Sequence, residues 1–141
     1  MNKLRILHVW LPLVGGLWVL LWQFRYGPGP HDQLRILGLS LGLLGLAGVI
    51  LARYTLGRSF AITAKATALV TQGIYSRIRN PIYVSSIAFI VGICLMVRNR
   101  CLWLLPLVVV PMQIIRARRE ARVLEATFGD AYREYRRHTW F

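Results

Sequence analysis

The chain is short of acidic residues, of cysteine and of histidine. Its 141 residues include 5 Asp and Glu against 18 Lys and Arg, so the formal net charge is +13, and only 2 cysteines and 3 histidines are present. Two cysteines, Cys94 and Cys101, exclude a disulfide framework. We expect no metal site.

Polar residues as a whole are also scarce. The chain is 56% hydrophobic, with a mean hydropathy of +0.50, which excludes a disordered chain. A basic module that binds nucleic acid would be polar, so we expect no nucleic-acid partner. A membrane protein reconciles the apolar content with the charge if the two are segregated along the sequence.

Apolar and charged residues are indeed segregated. Four runs, 6–24, 34–52, 81–97 and 101–115, contain a single charge, Arg35. A membrane-spanning helix needs roughly 20 apolar residues. The fourth run meets this only if its helix continues past residue 115. We therefore predict an all-α polytopic membrane protein, one domain over 1–141, with about four spans and a helical C-terminal segment. The alternative for 81–115 is a re-entrant hairpin.

The first run has the basic start of a signal peptide but not its end. Lys3 and Arg5 precede it, yet no small-residue cleavage site follows, and a second apolar run comes soon after. We therefore expect an uncleaved first helix.

The distribution of basic residues predicts the orientation of these spans. Fourteen Lys and Arg flank one side and four the other, Arg25, Arg35, Arg98 and Arg100. The positive-inside rule places the basic side in the cytoplasm, which for a prokaryote means the inner or plasma membrane. Both termini and the segments 53–80 and 116–141 are then cytoplasmic, and the basic excess also faces anionic membrane lipids.

Glycine marks one face of the second run. Gly38, Gly42, Gly45 and Gly48 are spaced so that another helix can approach closely. Packing within the chain is the favoured interpretation, and a homodimer through this face is the alternative. Gly73 indicates a tight turn or a close backbone approach, and the sequence Tyr26–Pro30 indicates a turn.

Asn80 and Pro81 are typical of a helix start, with Asn as the N-cap and Pro at the first helical position. Free N–H groups at that end favour an anion, and Arg77 and Arg79 add positive charge. A carboxylate or a phosphate would suit this position.

The fourth run is predicted to continue as a helix to about Phe128, where Gly129 ends it and Asp130 caps a short last helix. Its polar extension carries Glu120, for which an ordinary ion pair with Arg116 is the simplest interpretation. One helical face is formed by Gln113, Arg116, Glu120, Leu124 and Phe128. The tail aromatics could equally form an interfacial belt.

Four motifs in order resemble the isoprenylcysteine carboxyl methyltransferase and phospholipid methyltransferase superfamily. They cover roughly residues 50–138 and begin at Arg58, Val70, Arg79 and Glu120: Arg58-Ser-Phe60, Val70-Thr-Gln-Gly-Ile-Tyr75, Arg79-Asn-Pro-Ile-Tyr83, and Glu120-x-x-x-Leu124-x-x-x-Phe128-Gly129-x-x-Tyr132-x-x-Tyr135. The resemblance implies a polytopic enzyme that binds S-adenosylmethionine at the cytoplasmic face and methylates a lipophilic acceptor.

The resemblance also implies a set of site residues. Arg79, Asn80 and Tyr83 are the catalytic candidates. The cofactor-binding candidates are these three together with Tyr75, Pro81, Glu120, Tyr132 and Tyr135. The methionine carboxylate would suit the helix start and Arg79, and the cofactor's cationic groups would suit Glu120 and the tyrosine faces.

Two positions depart from the family pattern. Asn80 stands where several members have histidine, and Asn cannot act as a base near neutral pH. Ala121 stands where members have a second glutamate, so a weakened or inactive member is one interpretation.

The acceptor is open at this point. The leading hypothesis is methylation of a lipophilic small molecule or lipid, and the resemblance implies a carboxyl O-methyltransferase of the isoprenylcysteine type. A carboxylate or thiolate acceptor needs no base, whereas a lipid amine or phenol must lose a proton. Phospholipid amine N-methylation and a non-catalytic scaffold are the alternatives. A nicotinamide-dependent reductase is a further one, although the sequence has no dinucleotide glycine motif. A catalytic role for His8 or His138 is not favoured.

Overall fold

The computed structural model describes the backbone of residues 3–27, 33–56 and 69–140, and the side chains of these ranges from residue 13 onward. Five α-helices and two short 3-10 helices account for most of this. The α-helices are α1 (Lys3–Tyr26), α2 (Gln33–Leu56), α3 (Pro81–Val97), α4 (Leu104–Phe128) and α5 (Asp130–His138), and the 3-10 helices are Gly73–Ser76 and Arg100–Trp103. The all-helical prediction is confirmed for the described residues, whose only β-type pairing is an isolated bridge.

Two described helices are long and apolar enough to cross a membrane. They are α2 and the continuous helical segment Arg100–Phe128, whereas α3 is a shorter apolar helix of 17 residues. As predicted, the fourth helix continues past Ile115 and ends at Phe128. Four spans in total, and the cytoplasmic placement of the tail, stay predictions.

The core lies where α1, α2 and α3 meet. Leu20, Leu46, Phe89 and Met96 form its buried cluster, and side chains from the same helices pack around it. Large apolar side chains on the outer sides of these helices and of α4 are exposed, as lipid-facing surfaces are.

Close packing of α2 on α3 depends on glycine. A Cβ atom at Gly92 would lie 2.5 Å from the backbone nitrogen of Gly42 and 2.7 Å from the carbonyl oxygen of Gly38. A Cβ atom at Gly45 would collide with the backbone of Phe89. The predicted packing of the glycine face within the chain is therefore confirmed. A homodimer stays a prediction, and through this face it would have to displace α3.

Arg35 is buried although it is charged. It is only 2% exposed, and its guanidinium donates hydrogen bonds to the carbonyl oxygens of Gln23 and Gly27. The Gln23 carbonyl also accepts from the Gly27 N–H at 3.0 Å, and Gly27 lies just beyond the C-terminal end of α1. Arg35 therefore joins the end of α1 to the start of α2. The sequence located this arginine at the edge of a span but did not indicate what it binds.

The predicted helix boundaries are close to the observed ones. Asn80 is the N-cap of α3 and Pro81 begins it, although the Asn80 side chain makes no capping hydrogen bond. Gly129 ends α4 with a φ of 51° and is itself the N-cap of α5. Asp130 therefore opens the helix without capping it, and its carboxylate instead pairs with Arg133 at 3.3 Å.

Gly73 shows both features that the sequence suggested, a turn conformation and a close approach of its backbone to another segment. Its φ is +60°, and a Cβ atom there would lie 3.1 Å from the Thr55 side chain. Other predictions fall outside the described residues, namely the Arg58-Ser-Phe60 motif, His31, the side chains of Lys3, Arg5 and His8, and most of the Tyr26–Pro30 turn.

Candidate functional site

The C-terminal tail returns to the segment that precedes α3. The Trp140 N–H donates to the carbonyl oxygen of Arg77 at 2.8 Å, and the Arg79 N–H donates to that of Trp140 at 2.9 Å. Ile78 and Trp140 thus form a parallel bridge. These bonds bring α5 beside the start of α3, so two motifs far apart in sequence line one site.

Three predicted tyrosines lie between these segments. Tyr75 and Tyr132 are buried, at 7% and 1% exposure. The Tyr135 hydroxyl donates to the carbonyl oxygen of Tyr75 at 2.7 Å, and the rings of Tyr132 and Tyr135 lie 6.2 Å apart. The predicted aromatic walls are therefore brought together, whereas Trp140 is 82% exposed at the edge.

Glu120 faces this cluster from α4. It is exposed on the polar continuation of the helix, beyond the apolar run, and its carboxylate forms a hydrogen bond with the Tyr83 hydroxyl. Its charge also acts on Tyr75 and Tyr132. Arg116 contributes a weaker attraction. Glu120 is therefore more than a partner of Arg116, because it joins α4 to the start of α3.

Two donors at the centre of the site have no hydrogen-bond partner within the described residues. They are the Nε of Arg79 and the hydroxyl of Tyr132, both closed off from water. The two groups interact electrostatically, since the charge of Arg79 lowers the pKa of Tyr132 against the effect of burial. A buried donor without a partner costs about 1–3 kcal/mol. An anion that accepted from both would recover this cost.

The site tyrosines outside the apolar runs stay protonated at neutral pH. Burial raises the pKa of Tyr135 to about 12, with Tyr132 acting in the same direction. Burial also raises the pKa of Tyr75 and of Tyr132, and the charge of Glu120 adds to both effects. These hydroxyls can donate hydrogen bonds, but they cannot serve as bases.

The remaining predicted residues lie at the N-terminal end of α3. Pro81 is fully buried, and the carbonyl oxygen of Asn80 accepts from the N–H groups of Tyr83 and Val84 at 3.1 and 3.2 Å. His138 lies away from the site, on the exposed face of α5, where its Nδ1 is 3.4 Å from the Glu134 carboxylate.

Sequence reasoning missed two features of this region. Arg53, in the last turn of α2, acts electrostatically on Tyr75. In the sequence, only its position as a basic residue at the end of an apolar helix indicated a role. A polar pair, Ser86 and Gln113, joins α3 to α4 within their apolar parts. Gln113 also lines a cavity of about 150 Å³ with Val109, Met112 and Arg116. Ser86 lies in the apolar run 81–97 and Gln113 in the apolar run 101–115. An uncharged polar side chain inside an apolar helix needs a hydrogen-bond partner, and this could have revealed the pair.

Comparison with known protein families gives a match over most of the chain. The family model described as PEMT, phospholipid methyltransferase, matches residues 34–131, which span α2, α3, α4 and the start of α5. No curated protein and no solved structure matches the chain. The matched range covers more than half of the chain and contains most of the site assembled above. The chain therefore belongs to the phospholipid methyltransferase family, within the superfamily that its motifs resemble.

Proposed function

We propose that the chain is a membrane-embedded, S-adenosylmethionine-dependent methyltransferase whose acceptor is a lipophilic molecule with an anionic group, in the manner of an isoprenylcysteine carboxyl O-methyltransferase. The observation that carries this proposal is the buried pair of donors on Arg79 and Tyr132 without partners among the described residues. Family membership supports methyl transfer at the level of the class.

The side chains fit the cofactor. The two donors and the N-terminal end of α3 suit the carboxylate of its methionine part. Glu120, held by Tyr83, suits its amino group or ribose hydroxyls, and the faces of Tyr75 and Tyr132 suit its cation. When bound, the cofactor supplies a methyl group already activated on a sulfonium. The residues therefore need only bind, orient and exclude water.

The charge around the site favours an anionic acceptor. Arg53 acts electrostatically on Tyr75, Arg79 on Tyr132 and Arg116 on Glu120, and the buried tyrosines cannot take a proton near neutral pH. A carboxylate or thiolate acceptor needs no base. Its tail would lie between α3, α4 and α1, with the site at the cytoplasmic face and both termini on that side.

Phospholipid amine N-methylation is the second candidate, because the matching family is described as phospholipid methyltransferase. A non-catalytic scaffold is the third candidate, because Ala121 stands where members of the family have a second glutamate. The three functions differ in cofactor binding and in the product formed.

Cofactor binding tests the proposal first. The purified protein in detergent should bind S-adenosylmethionine saturably in calorimetry, and Arg79→Ala and Glu120→Ala should each weaken binding about 10- to 100-fold. Glu134→Ala is the matched control, because Glu134 is an exposed acid paired with Arg137 on α5. Absence of saturable binding by the unaltered protein would rule out both methyltransferase functions.

Labelling then separates the acceptors. Membranes incubated with cofactor carrying a labelled methyl group should yield base-labile label, as expected for methyl esters, at a rate that changes little between about pH 7 and 9. Base-stable label in the polar lipids, with a rate that rises with pH as the amine deprotonates, would establish amine methylation. Cofactor binding without any labelled product would indicate the scaffold.

A further inference from the structure

The C-terminal tail, residues 130–140, is attached to the candidate site through backbone groups at its far end. The Trp140 N–H donates to the carbonyl oxygen of Arg77 at 2.8 Å, and the Trp140 carbonyl oxygen accepts from the Arg79 N–H at 2.9 Å. We call these two bonds the Trp140 bridge. Because Arg79 carries one of the buried donors of the site, the bridge fixes the backbone that presents this donor.

The near end of the tail is a single glycine. Gly129 joins α4 to α5 with a φ of 51° and a ψ of −120°, and a Cβ atom there would meet nothing within 4 Å. Tyr132 is buried on the inner side of α5. A helix of nine residues is marginal by itself in water, so the position of the tail also depends on what its far end and outer side contact.

The Trp140 ring is the part of the bridge that the protein leaves uncovered. It is 82% exposed, and an indole ring combines an apolar body with a polar N–H, as suits a surface that is apolar on one side and wet on the other. Its bridge partner Ile78 precedes the first residue of α3, Pro81, by three positions. With α3 as a predicted span, this start lies at the lipid–water interface, where tryptophan is enriched.

Exposed basic side chains accompany the ring in the same two segments. Arg77 belongs to the bridge, and Arg136 and Arg137 lie in the last turn of α5. One acid is close to them, Glu134, which pairs with Arg137 at 3.5 Å. Positive charge therefore exceeds negative charge here, which suits anionic lipid head groups. A second copy of this chain, also at +13, would bring like charge to the same surface.

We propose that the Trp140 ring and these arginines dock the tail onto the anionic lipid surface around the protein, and that this docking keeps the Trp140 bridge closed. The candidate site is then complete only on an anionic membrane. Docking needs no cofactor. Its effect on cofactor affinity rests on the proposed function.

Hydrogen exchange at the Arg79 amide measures the bridge without cofactor. In nanodiscs of phosphatidylcholine with about a third phosphatidylglycerol, this N–H should exchange about 10-fold more slowly than in pure phosphatidylcholine nanodiscs. Equal exchange in the two lipids would overturn the proposal.

Trp140→Ala shows whether the ring is responsible, because it leaves both backbone groups of the bridge in place. On anionic nanodiscs the variant should exchange as fast as the unaltered protein does on neutral ones. Trp18→Ala, at a 60% exposed tryptophan of α1, is the matched control and should keep the slow exchange. Slow exchange that survives Trp140→Ala would contradict docking through the ring.

Fluorine NMR identifies the surface that the ring contacts. In protein labelled with fluorotryptophan, the signal that disappears in Trp140→Phe belongs to Trp140. A nitroxide on the lipid head group should broaden this signal, and a soluble gadolinium chelate should not. Broadening by the chelate alone would place the ring in water, and broadening by neither would place it against another protein surface. Both results would overturn the proposal.

The affinity for S-adenosylmethionine tests the consequence for the site. The unaltered protein should bind the cofactor about 3- to 10-fold more tightly on anionic than on neutral nanodiscs, and Trp140→Ala should bind it equally on both. An affinity that ignores the lipid while the bridge responds to it would contradict control of the site by the bridge. Absence of cofactor binding in both lipids would defeat the proposed function alone, since exchange and fluorine NMR are measured without cofactor.

Discussion

The interface between α2 and α3 and the outer side of α4 differ in how the chain covers them. In the apolar stretch of α2, 33% of the residues are buried, against 6% in the apolar stretch of the helical segment Arg100–Phe128 that contains α4. Backbones meet at the glycines of α2 and α3, whereas two polar side chains of α4, Gln113 and Glu120, hydrogen-bond side chains of α3. The first region therefore buries tight backbone contacts, whereas the outer side of α4 presents apolar side chains as a lipid-facing surface does.

The largest effect should come from filling the glycine interface. Gly92→Ala would place a methyl group against the backbone of α2, which cannot move as a side chain can. Overpacking of this kind costs about 1–3 kcal/mol of unfolding free energy. Thermal unfolding followed by tryptophan fluorescence in detergent should show a clearly lowered midpoint.

Gly15→Ala is the control for that substitution. A Cβ atom at Gly15 has nothing within 4 Å, so the variant should be as stable as the parent or gain up to about 1 kcal/mol from helix propensity. If both variants lost equal stability, the glycines of α2 and α3 would not be a special interface.

A smaller effect on stability, of opposite sign, is expected in the candidate cofactor site. Tyr132→Phe removes a buried hydroxyl that has no partner in the described part of the chain, so the free protein should become more stable by about 1 kcal/mol. The same change should weaken S-adenosylmethionine binding about 3- to 10-fold. Melting with and without cofactor measures both effects, and a destabilised free protein would show that the hydroxyl already serves the fold.

The smallest effect should come from Tyr135→Phe. This removes one hydrogen bond, to the carbonyl oxygen of Tyr75, worth about 0.5–1.5 kcal/mol. We expect a slight decrease in the melting midpoint and a two- to fivefold loss of cofactor affinity. Tyr54→Phe, at an 87% exposed tyrosine on α2, should change neither quantity.

The comparison also explains which features the sequence could predict. The α2 glycines, the Asn80-Pro81 start and the Gly129 end are local patterns, and each has a physical cause within a few residues. Helix periodicity likewise indicated that α4 would run past Ile115. These predictions were confirmed because backbone geometry and helix packing decide them.

Contacts between distant segments could not be predicted in this way. Periodicity carries no information that Trp140 would pair with Ile78, that Arg35 would bind α1 or that Gln113 would meet Ser86. The grouping of Tyr75, Glu120 and Tyr132 came from the family resemblance, and their roles in binding stay predictions until cofactor affinity is measured.

Arg35 has a consequence for how the first two helices come together. Without α1, its buried guanidinium near the start of α2 would lose both carbonyl oxygens, of Gln23 and Gly27, that accept its hydrogen bonds. A buried charged donor without acceptors is costly. The burial of Arg35 and the docking of the end of α1 are therefore a single cooperative event, and Arg35→Leu should separate them.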